Sequence, residues 1–197
     1  MTKKLNCDHH LTSLPWGDYE LLDSGNSMKL ERFGDFIIAR PETQALWEKL
    51  RPELWENVHA EFAFHEKKGL WHMKKPVPES WGLSWNTLRF LVRLTGFKHT
   101  GVFPEQAPNW EWLTEKVSSL KKPQVLNLFG YTGIASLVAA HSGAFVTHVD
   151  ASKQSLDWAH ENARLSGLAE DAIRWIPDDA LAFAKRESRR GAKYDGI

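Results

Sequence analysis

The 197-residue sequence contains one cysteine, Cys7, and a lone thiol excludes an internal disulfide and a four-cysteine zinc site. A reducing compartment suits such a chain, so a cytoplasmic location is expected. Charge of either sign is also not in excess, with 25 lysines and arginines against 25 aspartates and glutamates. No net field gathers polyanions or anionic lipids, and charge alone predicts no nucleic-acid partner. No apolar run is long enough to span a bilayer, and the opening "MTKKLNCDHHLTSL" is charged and then polar where a signal peptide needs an apolar stretch. Membrane insertion is not expected. Internal repeats and low-complexity tracts are missing too. What is plentiful is tryptophan, ten in all, eight of them before residue 113. Without a basic groove beside them, these rings belong in the core or at interfaces rather than under stacked bases.

The chain divides into a β-rich part over residues 1–100 and a part of alternating strands and helices over 101–197. In "YELLDSGNSMKLERFGDFIIAR", three apolar runs broken at "DSGNS" and at Gly34-Asp35 predict a small antiparallel sheet that Pro41 ends. "ETQALWEKL" predicts a short helix. "HAEFAFHEKKGLWHM" predicts a hairpin around Lys-Lys-Gly, with Ala60, Phe62 and Phe64 on one face. Leu88, Phe90, Val92 and Leu94 share a face of "TLRFLVRL", and Thr95-Gly96 turns that strand into another, "FKHTGVF".

Beyond Pro104 the period changes. Asn109 is placed to cap a helix through "WEWLTEKVSSL", which Lys121-Lys122-Pro123 ends. Strand 124–129, helix 134–142, strand 145–149, helix 153–166, strand 173–176 and helix 180–190 follow, with Gly143 and Gly167 at C-terminal cap positions. Strands that alternate with helices imply right-handed crossovers and a parallel sheet.

In such sheets ligands sit outside the carboxyl ends of the strands, above all at the first strand-to-helix turn. That turn is "FGYTG", where Gly130 and Gly133 allow positive φ or close approach of a ligand. The next strand ends in Asp150, a carboxylate placed to accept from both hydroxyls of a ribose. A nucleoside-containing cofactor is implied. The turn is G-x-x-G, not the G-x-G-x-x-G of dinucleotide sites, and no Lys-Ser or Lys-Thr follows as in a phosphate loop. S-adenosylmethionine, which needs no phosphate cradle, fits what remains. The third strand ends in Asp178-Asp179, ahead of the small Ala180; one aspartate can cap the next helix while the other accepts from the amino group of adenine, and Asp179 is favoured for adenine.

These segments resemble a known family. The turn "LNLF-x-YTG", the strand end "VDASK-x-S" and the helix "W-x-x-EN-x-x-L-x-GL" stand in the order found in class I methyltransferases, in the group related to the large-subunit ribosomal RNA cytosine-5 methyltransferases. The likeness covers about the last hundred residues, from "TGVFPEQAPNWEWL" on, with looser echoes in "YELLDSG" and "KLERFG". It implies an α/β fold: a Rossmann-like methyltransferase core, its parallel sheet incomplete, preceded by a small β-rich domain. It implies S-adenosyl-L-methionine as cofactor and RNA, an rRNA base, as acceptor. The cofactor contacts so implied are Phe129, Gly130, Tyr131, Thr132 and Gly133 at the methionine moiety, Asp150 with Ala151 and Ser152 at the ribose, and Asp178, Asp179 and Ala180 at adenine. Phe103 and Gln106 of "GVFPEQ" are candidates to close over it. Asn162, near Ala159 and Ala163 in a helix, is expected to make a buried helix-to-strand hydrogen bond rather than touch ligand.

Two departures qualify the resemblance. The sequence stops at "KYDGI", where a fourth strand begins, ahead of the Asp-Pro-Pro-Phe type motif that lines the family's acceptor pocket. The expectation is a chain that holds most cofactor contacts, lacks that pocket and transfers no methyl group alone. Cytosine C5 methylation also needs a thiolate, and nothing places Cys7 near the sheet, so catalytic residues stay unassigned. Cys7-Asp8-His9-His10 is a poor metal grip, since consecutive residues rarely converge on one ion, and no metal is expected. His59, His65 and His72 form no triad. "KRESRRG" suits a helix C-terminus first and an RNA phosphate second. The alternatives in other classes are a nicotinamide-dependent oxidoreductase and a non-catalytic nucleic-acid-binding module on the same fold.

Overall fold

The computed structural model describes residues 16–65 and 68–197. Strands β1 (Tyr19–Gly25), β2 (Met28–Phe33), β3 (Phe36–Pro41), β4 (Ala60–His65) and β5 (Lys68–Met73) form one five-stranded sheet in that order. The β1–β2 turn closes through Asn26 and Ser27 at φ of 52° and 59°, the left-handed pair that a tight hairpin needs. Neighbours are antiparallel except β3 and β4, which run parallel because the chain crosses over through residues 42–59. The first three runs thus form the antiparallel unit the sequence predicts.

The crossover corrects one expectation. Residues 42–50 hold no helix, and the helical turn of this connection is a 3-10 segment at Pro52–Asn57. The reason is competition for backbone groups. The carbonyls of Trp47 and Ala45 accept from Asn26 N at 2.7 Å and Ser27 N at 2.8 Å, and Glu42 N donates to Ser27 O at 2.8 Å. The hairpin tip thereby takes the partners that an α-helix would need for itself.

Strands β6 (Trp81–Trp85) and β7 (Leu88–Val92) make a separate hairpin, with Leu88, Phe90 and Val92 buried as their alternation predicts. "FKHTGVF" is not a strand. The Thr95 hydroxyl donates towards His99 O at 2.8 Å and accepts from Phe97 N at 3.2 Å, and these local bonds round the chain into a loop instead of a ladder. A 3-10 turn at Pro104–Gln106 then leads into α1 (Ala107–Ser118). Asn109 lies inside this helix and gives its side-chain amide to Gln106 Oε1 at 2.8 Å, so it is not the cap. Pro104 and Pro108, with φ already set for helix, start the turn earlier.

The remaining elements alternate as expected: β8 (Gln124–Leu128), α2 (Ile134–His141), β9 (Phe145–Asp150), α3 (Lys153–Leu165), β10 (Ile173–Pro177) and α4 (Ala180–Arg190). The three strands are parallel in the order β10-β9-β8, and Gly143 and Gly167, at φ of 103° and 66°, follow α2 and α3. Beyond β8, Gly196 bridges Val125 in parallel and accepts from Leu126 N at 3.0 Å, the strand-like pairing expected of "KYDGI". A single apolar cluster runs from Tyr19 and Phe33 through Trp81 and Trp110 to Leu137 and Val146, so the β-rich sheet, the hairpin and the Rossmann-like core bury one another's apolar faces.

Candidate cofactor-binding site

The turn after β8 is held in a costly shape. Phe129 and Tyr131, neither of them glycine, have φ of 57° and 52°, and such residues persist only where the surroundings over-determine them. Gly130 N donates to Val149 O at 3.0 Å, Tyr131 N to Asp150 Oδ2 at 2.8 Å and Gly133 N to Gly130 O at 3.0 Å. From outside the turn, the Thr132 hydroxyl donates to Gly101 O, and Asn162 Nδ2 donates to Thr132 O at 2.9 Å. Asn162 Oδ1 also accepts from Leu91 N at 2.9 Å, so this buried amide ties α3 to β7 and to the turn, as a helix-to-strand bond should. The strain has an outward product: the Phe129 ring stands 76 % exposed.

Gly133 adopts the positive φ expected of it, and both glycines of the turn are also required by their internal neighbours. A Cβ on Gly130 would lie 2.2 Å from His148 Cε1. Gly133 has φ of 88°, and its Cβ would lie 2.9 Å from Ala159 Cβ. His148, fully buried on β9, bonds through Nδ1 to Ser136 Oγ at 2.9 Å, and Ser136 Oγ accepts from Asn127 Nδ2 at 2.8 Å. His148 Nε2 has no hydrogen-bond partner among the described residues. Burial therefore pushes the imidazole pKa down to about 4, which keeps it neutral near pH 7. The turn thus rests on a neutral ring, with only a hydrogen atom at residue 130 between them.

At the next strand end, Asp150 uses one oxygen for Tyr131 N and the other for Ser152 N, both at 2.8 Å. Each oxygen keeps a further lone pair. Ser152 caps α3 by accepting from Ser155 N, and Ala151 is exposed between them. At the third strand end the two aspartates divide their tasks. Asp179 Oδ1 accepts from Ala182 N at 2.8 Å and is the cap of α4, while Asp178 pairs with Arg186 and accepts from Asp179 N at 2.9 Å. Capping therefore falls to the residue favoured for adenine. Ala180 is buried at the first helical position, and Asp178 N donates to Asp150 O at 3.2 Å, which links this strand end to the previous one.

Over the turn lies a cleft of about 390 Å³ that brings together Phe103, Gln106, Phe129, Gly130, Tyr131 and Thr132. The Phe103 ring is 5.5 Å from that of Tyr131, and burial raises the Tyr131 phenol pKa, so it stays protonated. Gly133 does not line this cleft and lies against Ala159 and Leu137. Asp150, Ala151, Asp178, Asp179 and Ala180 do not line it; Ser152 opens instead on a second space of about 690 Å³ on the far side of Tyr131, shared with Arg93 and Trp158. Sequence reasoning missed Asn127 and Trp110, which line the cleft, and Gly101, whose added Cβ would lie 2.3 Å from the Trp158 ring. The usable signal for Gly101 was its position beside "VFPEQ"; Asn127 showed only as a polar residue inside an apolar strand. Among the described residues no group of three His, Cys, Asp or Glu is disposed around a metal, and no helix is long and apolar enough to cross a membrane. Cys7, Asp8, His9 and His10 lie outside the described residues.

Comparison with known proteins bears on this geometry. A family model described as S-adenosylmethionine-dependent methyltransferase matches residues 63–195. Ribosomal RNA large subunit methyltransferase K/L of Shewanella frigidimarina is 38 % identical over 110 residues, which are 55 % of this chain and 15 % of that protein. Ribosomal RNA large subunit methyltransferase I of Aeromonas salmonicida is 32 % identical over 133 residues, 67 % of this chain and 33 % of that one. The chain thus spans a third or less of these curated relatives. The crystal structure of a SAM-dependent methyltransferase from Agrobacterium tumefaciens superposes with a TM-score of 0.87 at 52 % identity, covering 91 % of this chain and 58 % of its own.

Proposed function

The chain belongs to the S-adenosylmethionine-dependent methyltransferase family, and from that premise we propose that the turn after β8 and the ends of β9 and β10 hold the cofactor for methyl transfer to RNA. The observation that carries the reading is the strained turn at Phe129 and Tyr131, locked by Asp150. The same carboxylate that fixes the turn has lone pairs left for a ribose diol. Ala151 and Ser152 flank that position. Asp178, Asp179 and Ala180 stand at the adenine end, with Phe129 to Gly133 at the methionine end and Phe103 and Gln106 as cover. When bound, the cofactor supplies an electrophilic methyl group on a sulfonium centre. The chain's own residues hold donor and acceptor in place and exclude water. The Phe103 and Tyr131 rings at the cleft suit a cationic group.

RNA as acceptor draws support from the names of the two ribosomal RNA methyltransferases above, and a cytoplasmic place of action belongs to the same proposal. Neither the oxidoreductase nor the non-catalytic module is favoured beside the methyltransferase family match. The test is calorimetric titration of S-adenosylhomocysteine into the chain and into Asp150→Ala. A charge-assisted hydrogen bond contributes about 1.5–3 kcal/mol, so the substitution should weaken binding roughly ten- to a hundredfold. Equal affinity in the two proteins would remove Asp150 from the site.

A further inference from the structure

Between strands β4 and β5 and the loop after β7 runs a groove of about 600 Å³, and its walls carry Phe62, Phe64, Lys68, Phe97, Lys98 and His99. Phe64 and Phe97 are 65 % and 74 % exposed. A phenylalanine left in water forgoes most of the roughly 2 kcal/mol its burial contributes, so two such rings on one groove are not explained by the core. The groove is also firmly built. Trp71 Nε1 donates to Thr95 O at 2.7 Å, and the buried Arg40 donates through Nη1 to Lys98 O at 3.0 Å while its other nitrogens hold Glu31 at 2.7 Å. The loop that presents Phe97 is thereby fixed from beneath.

Its charge and its direction both point to a ligand. Lys68 and Lys98 stand on the groove, while Arg40 beneath it is paired with Glu31, and Lys29 lies against Glu31 and Glu42. The cations beside the exposed rings are therefore Lys68 and Lys98. The groove also leads somewhere: the His99 ring lies 5.3 Å from Phe103, and Phe103 lies 5.5 Å from Tyr131 of the cofactor turn. Flat apolar rings alternating with cations suit bases whose faces are free and whose phosphates lie alongside. A duplex hides those faces.

We propose that this groove binds an unpaired RNA segment, with bases stacked on Phe97 and Phe64 and phosphates near Lys68 and Lys98, and leads the strand towards Tyr131. The inference rests on the reading that the acceptor is RNA. The test is fluorescence anisotropy with a labelled oligoadenylate RNA, on the order of ten nucleotides long, against a duplex of equal length, using the whole chain. Phe97→Ala should weaken single-strand binding about five- to a hundredfold, as loss of one stacked base does. Phe97→Trp should keep it, and Trp47→Ala, which removes an exposed ring elsewhere, should leave it unchanged. Lys98→Ala should flatten the slope of log affinity against log salt by about 0.7. Wild-type affinity in Phe97→Ala, preference for the duplex, no RNA binding, or tight binding of an acidic peptide in place of RNA would each overturn the groove. S-adenosylhomocysteine titrated into the same proteins separates the two readings: normal cofactor binding with no effect at Phe97 sinks only the groove, and Phe97-dependent RNA binding without any cofactor response sinks only the methyltransferase site.

Discussion

His148 is a buried base under a turn that tolerates no side chain at residue 130, and its neutrality has a consequence for stability. Its folded pKa is about 4, against 6.5 for the free side chain, with burial as the main cause. Between those values the unfolded chain takes up the proton and the folded chain does not. The contribution is therefore fully present above pH 6.5 and is lost as pH falls towards 4. By pH 4.5 the loss should be about 2–3 kcal/mol. Urea unfolding at pH 7 and pH 4.5 should show wild type losing more stability than His148→Asn by that amount; equal losses would mean that His148 is not held neutral. At this scale the sequence was partly legible. Asn162 is read correctly because a polar residue among small helical neighbours has few other uses. Gly133 has the positive φ read from the sequence, but the packing of Gly130 is not legible, since nothing local announces that His148, eighteen positions later, lies beneath it.

Elements after residue 104 follow the sequence closely because period and C-terminal glycines agree there, although Asn109 is not the cap of α1. Ser152 and Asp179 cap α3 and α4, and α4 spans the predicted residues. The cap at Asp179 allows a clean separation of stability from ligand contact. Asp179→Ala should cost about 0.5–2 kcal/mol of stability, and Asp179→Asn, which keeps an acceptor for Ala182 N, should cost much less. Thermal unfolding of the two variants measures this, and equal costs would remove the capping role. Before residue 104 the two failures have different causes, one distant and one local. "ETQALWEKL" looks helical and "FKHTGVF" looks extended, but the first gives its carbonyls to the β1–β2 turn and the second is rounded by Thr95. Periodicity registers neither the first segment's bonds to residues about twenty positions away nor the local side-chain bonds of Thr95. The strain at Phe129 and Tyr131 is equally silent, because no residue type there signals positive φ.

For the whole molecule, we propose a division into residues 1–100 and 101–197, joined by one apolar cluster through Trp85, Phe90 and Trp110. The β-rich part then does more than precede the core. It supplies Asn162 with Leu91 N, and through Arg40 it fixes the loop that carries Lys98, His99 and Gly101, whose carbonyl holds Thr132. The turn after β8 is thus braced from both parts of the chain, which a reading of "FGYTG" alone cannot reveal. We propose that this braced turn is where S-adenosylmethionine binds. Amide hydrogen exchange with and without S-adenosylhomocysteine measures that directly. Slower exchange is expected at residues 129–133 and 150–152, with the β6–β7 turn at Asn86 unchanged; unchanged exchange at both strand ends, with protection elsewhere, would contradict it.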